Sequence, residues 1–278
     1  MRGHGLLDRH GELRRTAAVA LHGSRRPRKG RNSGELRGPT LTERKVGHMG
    51  FLNERDRQTL TEMFRDLKFP VHLELFVDPD QEWSQHTRGI LAEVVALMPD
   101  FLHLETYHFE KNRLLAALYG VTQVPCLILR DKNEDDSGIR ILGIPSGYEF
   151  AVLIEDILDV STGRNRLREK SLNYIRNLEH DIVMQVFVTP TCPHCPRAVR
   201  LAHQMALANP ARVRGESIDA NTFIEWADQE GVYSVPKTVL TAKDPLKTVT
   251  FEGAVSEEYI IRQIKLLLDD PVQPELGS

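Results

Sequence analysis

Hydrophobic and polar positions alternate along this chain in two recognisable rhythms. Near 54–67 apolar residues recur at helical spacing, which predicts an amphipathic helix. A short β-rich run follows, Val71 to Val77. A second helix is predicted near 83–97, a strand near 102–107 and a helix near 110–119. Two closely spaced strands come next, near 126–130 and 139–143, and a helix near 147–159 closes the series. The series then recurs. Helices are predicted near 165–178, 193–208, 221–230 and 256–268, with strands at Ile182 to Val188, 212–218, 237–241 and 247–252. Strands alternating with helices imply a sheet with parallel pairs, and the closing pair of strands implies an antiparallel hairpin at its edge.

The recurrence is also visible in residue identities. Positions 111 apart match repeatedly, as in Arg57/Arg168, Leu67/Leu178, Phe76/Phe187, Val77/Val188 and Pro79/Pro190. The same offset continues through Pro99/Pro210, Glu105/Glu216, Gly120/Gly231, Val121/Val232, Val124/Val235 and Pro125/Pro236. One offset held over most of a domain indicates two copies of one domain. The period is far too long for a solenoid. The copies are expected at 49–160 and 164–270, joined near Val160 to Gly163, with a tail at 271–278.

Composition changes this picture only at the start. The 278 residues, 41% hydrophobic and 27% charged, suit a soluble two-domain protein. No apolar run approaches the roughly 20 residues that span a bilayer. Residues 1–48 carry 12 Lys and Arg against 4 Asp and Glu, a net of +8, whereas the remainder carries −11. Such an arm suits a nucleic-acid or membrane surface, or a disordered segment. The preferred reading is a start placed too early. Met49 opens the patterned sequence, and Glu43-Arg44-Lys45-Val46-Gly47 is compatible with a purine-rich ribosome-binding site ahead of it. Arg14-Arg15 would suit a twin-arginine export signal, but the basic run Ser24 to Lys29 follows where an apolar core belongs. A cytoplasmic protein with no nucleic-acid and no membrane partner is expected.

Three cysteines cannot build a disulfide framework. In a cytoplasmic chain the close pair in Cys192-Pro193-His194-Cys195 points to redox chemistry or to half of a zinc site. Zinc needs two more ligands. The third cysteine, Cys126, lies in the other copy, and His203 shares a helix with His194, so no metal is expected. The redox reading gains from position. A strand ends at Val188, Thr189-Pro190-Thr191 makes a turn, and Cys192 falls at a helix start with Pro193 in the first turn. Unpaired N–H groups and the positive helix end favour a thiolate at Cys192. Cys195, one turn further in, is then the shielded partner. Cys192 is expected to attack a substrate disulfide and Cys195 to resolve the mixed disulfide. His194, next to both sulfurs, tunes the pair when protonated, and its alternative is an exposed spectator. Cys126 reads as a small buried strand residue.

Phe187 to Pro196, then Glu225-Trp226-Ala227-Asp228-Gln229, then Val235-Pro236-Lys237, resemble the protein disulfide oxidoreductases of thermophiles. Those are glutaredoxin-like proteins of two fused thioredoxin folds, and the resemblance covers about 53–270. It implies an α/β chain of two tandem thioredoxin-like domains, each a central mixed sheet flanked by helices. It implies a cis Pro236 facing the cysteines, and Val235 presenting its backbone to a substrate strand. It also implies protein disulfides as substrates, a thioredoxin-reductase-like donor, and no cofactor beyond the cysteine pair. The first copy departs from the pattern. Gln81 and Ser84 stand where the offset would place cysteines, so Gln81-Glu82-Trp83-Ser84 cannot exchange disulfides. One silent and one live fold also resemble the N-terminal module of flavin-dependent alkyl hydroperoxide reductases, which passes electrons to a peroxiredoxin. A dedicated electron carrier is therefore the first alternative, and a non-catalytic zinc-binding or interaction protein the second. Thioredoxins carry a buried Asp six residues before the first cysteine. Here that position is Val186. Glu216 is a candidate substitute, though it reads more simply as a surface carboxylate.

Overall fold

The computed structural model describes residues 50–269. The basic segment, the start expected at Met49 and the tail at 271–278 lie outside them. The first copy runs α1 (Glu54–Met63), β1 (Val71–Val77), α2 (Glu82–Val95), β2 (Leu102–His108), α3 (Arg113–Leu118), β3 (Cys126–Arg130), β4 (Asp136–Leu142) and α4 (Tyr148–Thr162). The second repeats it as α5 (Glu169–Arg176), β5 (Ile182–Val188), α6 (Cys195–Ala208), β6 (Val213–Asp219), α7 (Ile224–Gln229), β7 (Lys237–Lys243), β8 (Leu246–Glu252) and α8 (Glu257–Leu267).

Local chemistry sets the boundaries. The Asn53 side chain accepts the Asp56 N–H and caps α1, whose first turn carries Glu54 and Asp56 against the positive helix end. Ser256 caps α8 in the same way through the Tyr259 N–H. The helix expected from 165 begins only at Glu169, because the Asn165 side chain accepts the Leu167 N–H and holds the chain in a turn. At the junction of the copies, α4 continues through Ser161 and Thr162 and ends at Gly163, which adopts φ +67°. Ser161 is no linker residue. Its hydroxyl accepts the Lys68 and Phe69 N–H groups and donates to the Phe69 carbonyl.

The expectation of a separate sheet in each copy needs one correction. All eight strands form one sheet in the order β2-β1-β3-β4-β6-β5-β7-β8. The joint is β4 beside β6, parallel, with Ile139 opposite Gly215 and Leu142 opposite Ile218. Only β3 and β7 run against the rest. Both β1 and β5 therefore end at the same end of the sheet. Helices α1, α2, α4, α5, α6 and α8 cover one face in a core shared by both copies. Helices α3 and α7 cover the other face, over Phe76, Ile128, Phe187 and Ile218. With both faces covered, central strands such as β5 are almost wholly apolar instead of alternating.

The two copies also meet through charge. Arg200 of α6 reaches Asp156 and Asp159 of α4, and its Nε donates to Glu155 at 3.1 Å. His203 Nδ1 lies 2.7 Å from Asp156 Oδ2, with both side chains fully buried. Buried carboxylates need such partners to remain ionised at modest cost.

Candidate functional site

Strand β5 delivers the chain to the cysteines. After Val188 a turn closes through the Cys192 N–H and the Thr189 carbonyl, 3.1 Å apart. Helix α6 begins only at Cys195, with His194 as its N-cap residue. Cys192 therefore lies ahead of the helix instead of opening it, and Pro193 lies in the turn. The proline inside the first helical turn is Pro196. The helix end still reaches the sulfur, because the Cys195 N–H donates to Cys192 Sγ at 3.2 Å.

Cys192 and Cys195 are joined as a disulfide, with Cα atoms 5.5 Å apart. Cys192 is 8% exposed and Cys195 is fully buried, the asymmetry expected of an outer and an inner cysteine. Val235–Pro236 is a cis peptide at the head of β7. The Val235 carbonyl oxygen lies 3.7 Å from Cys192 Sγ. The structure thus brings Cys192, Cys195, Val235 and Pro236 together. Pro193 and His194 are exposed at the rim.

Glu216 is not a surface carboxylate. It is 5% exposed, and its oxygens are held by Gln185 Nε2 at 2.8 Å and Arg214 Nε at 2.6 Å. It also points away from the cysteines. Strand residues alternate faces, so Glu216 shares the face of Phe187 and Ile218, whereas Cys192 and Cys195 pack on the face of Met184, Val186 and Val188.

The carboxyl on the cysteine face is Glu149, which the sequence reading missed. It sits in the first turn of α4, in the other copy, and is 5% exposed. Ser217 Oγ donates to its Oε2 at 3.4 Å, and Ser217 pairs across the sheet with Val186. Among the described residues its Oε1 has no hydrogen-bond partner. Burial pushes the Glu149 carboxyl up to about 7, the Ser217 bond opposes the rise, and Asp156 and Asp219 add to it. Strand pairing and a second copy place this group, so no sequence window around the cysteines contains it.

The first copy keeps the frame without the sulfur. Val124–Pro125 is also cis. Gln81 takes the N-cap position of α2, and Ser84 is buried, its hydroxyl accepting the Asp78 N–H at 3.2 Å. Cys126 is a buried thiol at the head of β3, as expected, and burial pushes it up to about 12. Among the described residues, no group of three or more His, Cys, Asp or Glu could hold a metal ion, and no helix is long and apolar enough to cross a membrane.

Residues 182–265, which contain the cysteine pair and cis Pro236, match a Thioredoxin domain family. The chain is a thioredoxin-like redox protein. The alkyl hydroperoxide reductase protein AhpF of Staphylococcus aureus is 30% identical to it over 193 residues, which are 69% of this chain and 34% of that protein. The chain thus spans about a third of the length of the curated relatives it matches. The NTD_N/C domain of alkylhydroperoxide reductase AhpF from Enterococcus faecalis superposes with a TM-score of 0.68 at 27% identity, covering 77% of this chain and 99% of the other. A protein disulfide oxidoreductase from Aeropyrum pernix gives a TM-score of 0.69 at 24% identity, covering 80% and 96%, and supports the tandem fold.

Proposed function

We propose that this chain exchanges disulfides with protein partners through Cys192 and Cys195, and that its live unit is the copy at 164–270. The observation that carries the reading is the cysteine pair itself, with Cys192 at the surface beside an open Val235 carbonyl and Cys195 sealed behind it. A partner segment paired with Val235 as a short added strand would bring its own disulfide to Cys192.

In the reducing direction the Cys192 thiolate attacks one sulfur of the partner disulfide, and the other sulfur leaves as a thiolate. Cys195 then loses its proton and attacks Cys192 Sγ, releasing the second partner thiolate. The dithiol is oxidised by two electrons, and the partner disulfide is reduced to a dithiol. The Cys195 N–H stabilises the attacking thiolate. Glu149 is the carboxyl placed to take the Cys195 proton, because its raised pKa lets it bind and release protons near neutral pH. His194 tunes the thiolate from the rim. A thioredoxin-reductase-like protein would return the electrons in the cytoplasm.

A second reading is supported by the curated relatives, which are alkyl hydroperoxide reductase proteins. In it the chain is a dedicated carrier to a peroxiredoxin. Reduction of insulin with dithiothreitol tests the first reading, and full activity of Cys192→Ser would refute it. Peroxide loss in a mixture with a peroxiredoxin tests the second. The potential of the couple sets direction: near about −270 mV it reduces its partners, and near about −120 mV it oxidises them.

A further inference from the structure

The turn that carries Cys192 is held by the silent copy. Pro190, two residues before Cys192, offers its carbonyl to the Tyr148 N–H at 3.0 Å. Tyr148 opens α4, an element of the first copy. The residue before it, Gly147, adopts φ +59° and ψ −129°, a conformation that side-chain-bearing residues avoid. A Cβ at Gly147 would stand 2.2 Å from the Pro190 oxygen and 2.9 Å from its carbonyl carbon. Glycine alone lets the first copy approach this closely.

The repeat supplies an internal control. Counting 111 residues on from Gly147 and Tyr148 gives Glu258 and Tyr259. There the chain enters α8 through an ordinary Ser256 cap, and Glu258 pairs with Arg168. The glycine is present where the live turn is contacted and absent at the matching place.

We propose that the Gly147–Tyr148 peptide is a positioning element of the redox site. It fixes Pro190, and through the turn closed by Thr189 and Cys192 it fixes where Cys192 Sγ meets the Cys195 N–H and the Val235 carbonyl. The silent copy is then a structural half of the live site. This rests on the dithiol reading given above.

Two measurements on the full chain test it. Equilibration with reduced and oxidised glutathione gives the dithiol–disulfide constant, and the rate of Cys192 alkylation against pH gives the midpoint of its thiol. Gly147→Ala is expected to shift the constant roughly fivefold, the scale of one backbone hydrogen bond, and to move the midpoint. Gly163→Ala is the comparison. Gly163 ends the same helix at φ +67°, and a methyl group there would meet nothing within 4 Å, so this variant should lose stability and keep both redox readouts. Tyr148→Pro removes the N–H at the first helical position, where proline fits. It should differ from Tyr148→Ala by the same factor, and it decides the matter if Gly147→Ala does not fold. Constants and midpoints for Gly147→Ala and Tyr148→Pro within twofold of their comparison variants would overturn the positioning role. A wild-type protein with no dithiol–disulfide transition would instead overturn the redox reading.

Discussion

After β1 the chain enters α2 at Glu82, whereas after β5 it makes a further turn and enters α6 only at Cys195. By the 111-residue offset the silent helix starts two residues earlier than the live one. The silent copy fills the inner cysteine position with Ser84, which is spent on the Asp78 N–H, and the outer one with Gln81. A cavity of about 430 Å³ remains beside it, lined by Gln81, Trp83 and Val124 and closed by Thr222 to Trp226 of the second copy. On the helical face the contrast reverses. Gly89, overlain by the Phe51 ring, stands where the live copy has Arg200 and its three carboxylate partners. The comparison teaches that chemistry and support have been divided between copies. One lost its sulfurs and kept the cis proline, the strands and the helix whose first turn carries Glu149.

Four experiments would break or sharpen this contrast. Cys192→Ser should abolish insulin reduction altogether, and residual activity there would mean that the silent copy is not silent. Arg200→Met should lower stability by about 3–5 kcal/mol in denaturant unfolding, because it strands two buried carboxylates between the copies. A loss below about 1 kcal/mol would show that the copies do not depend on this cluster. Glu149→Gln tests the transplanted carboxyl. Its folded pKa is raised from 4.5 to about 7, so the folded state holds the proton more tightly than the unfolded state in that window. Wild-type stability should therefore fall as pH rises from about 4.5 to about 7, by on the order of 3 kcal/mol, and the variant should lack that fall. The variant should also flatten the pH profile of disulfide exchange near neutrality. The smallest effect belongs to Gln81→Cys with Ser84→Cys. A new pair should close under mild oxidation, seen as two thiols lost, with a stability change below about 2 kcal/mol because the loop is short. Persistent free thiols in the folded variant would break the equivalence of the two sites.

Much of this was legible from residues near one another in the chain. Helical and strand periods located the elements, and the offset paired Pro125 with Pro236 and Gln81 with Cys192. Local pattern was less able to place helix ends. Asn165 and the turn at Thr189 each delay a helix by competing for backbone N–H groups, which periodicity does not register. What escaped altogether depends on how the copies meet. The pairing of β4 with β6, the Arg200 cluster and Glu149 are products of contact between residues tens of positions apart, and Gly147 looked like any loop glycine. Glu216 misled for the same reason. Its neighbours Gln185 and Arg214 lie on the face that a reading along one strand could not assign to the cysteines or away from them.

The β4–β6 joint bears on whether the copies can be parted. Cutting the chain at Gly163 would leave β6 of the catalytic half with a bare row of amide and carbonyl groups, parallel in register and mostly buried until then. Such an edge pairs with whatever strand it meets, including another copy of itself. A minimal catalytic fragment would therefore be expected to self-associate in a concentration-dependent way. The silent half acts, in this respect, as a permanently attached chaperone for the strand next to the one that carries the cysteines.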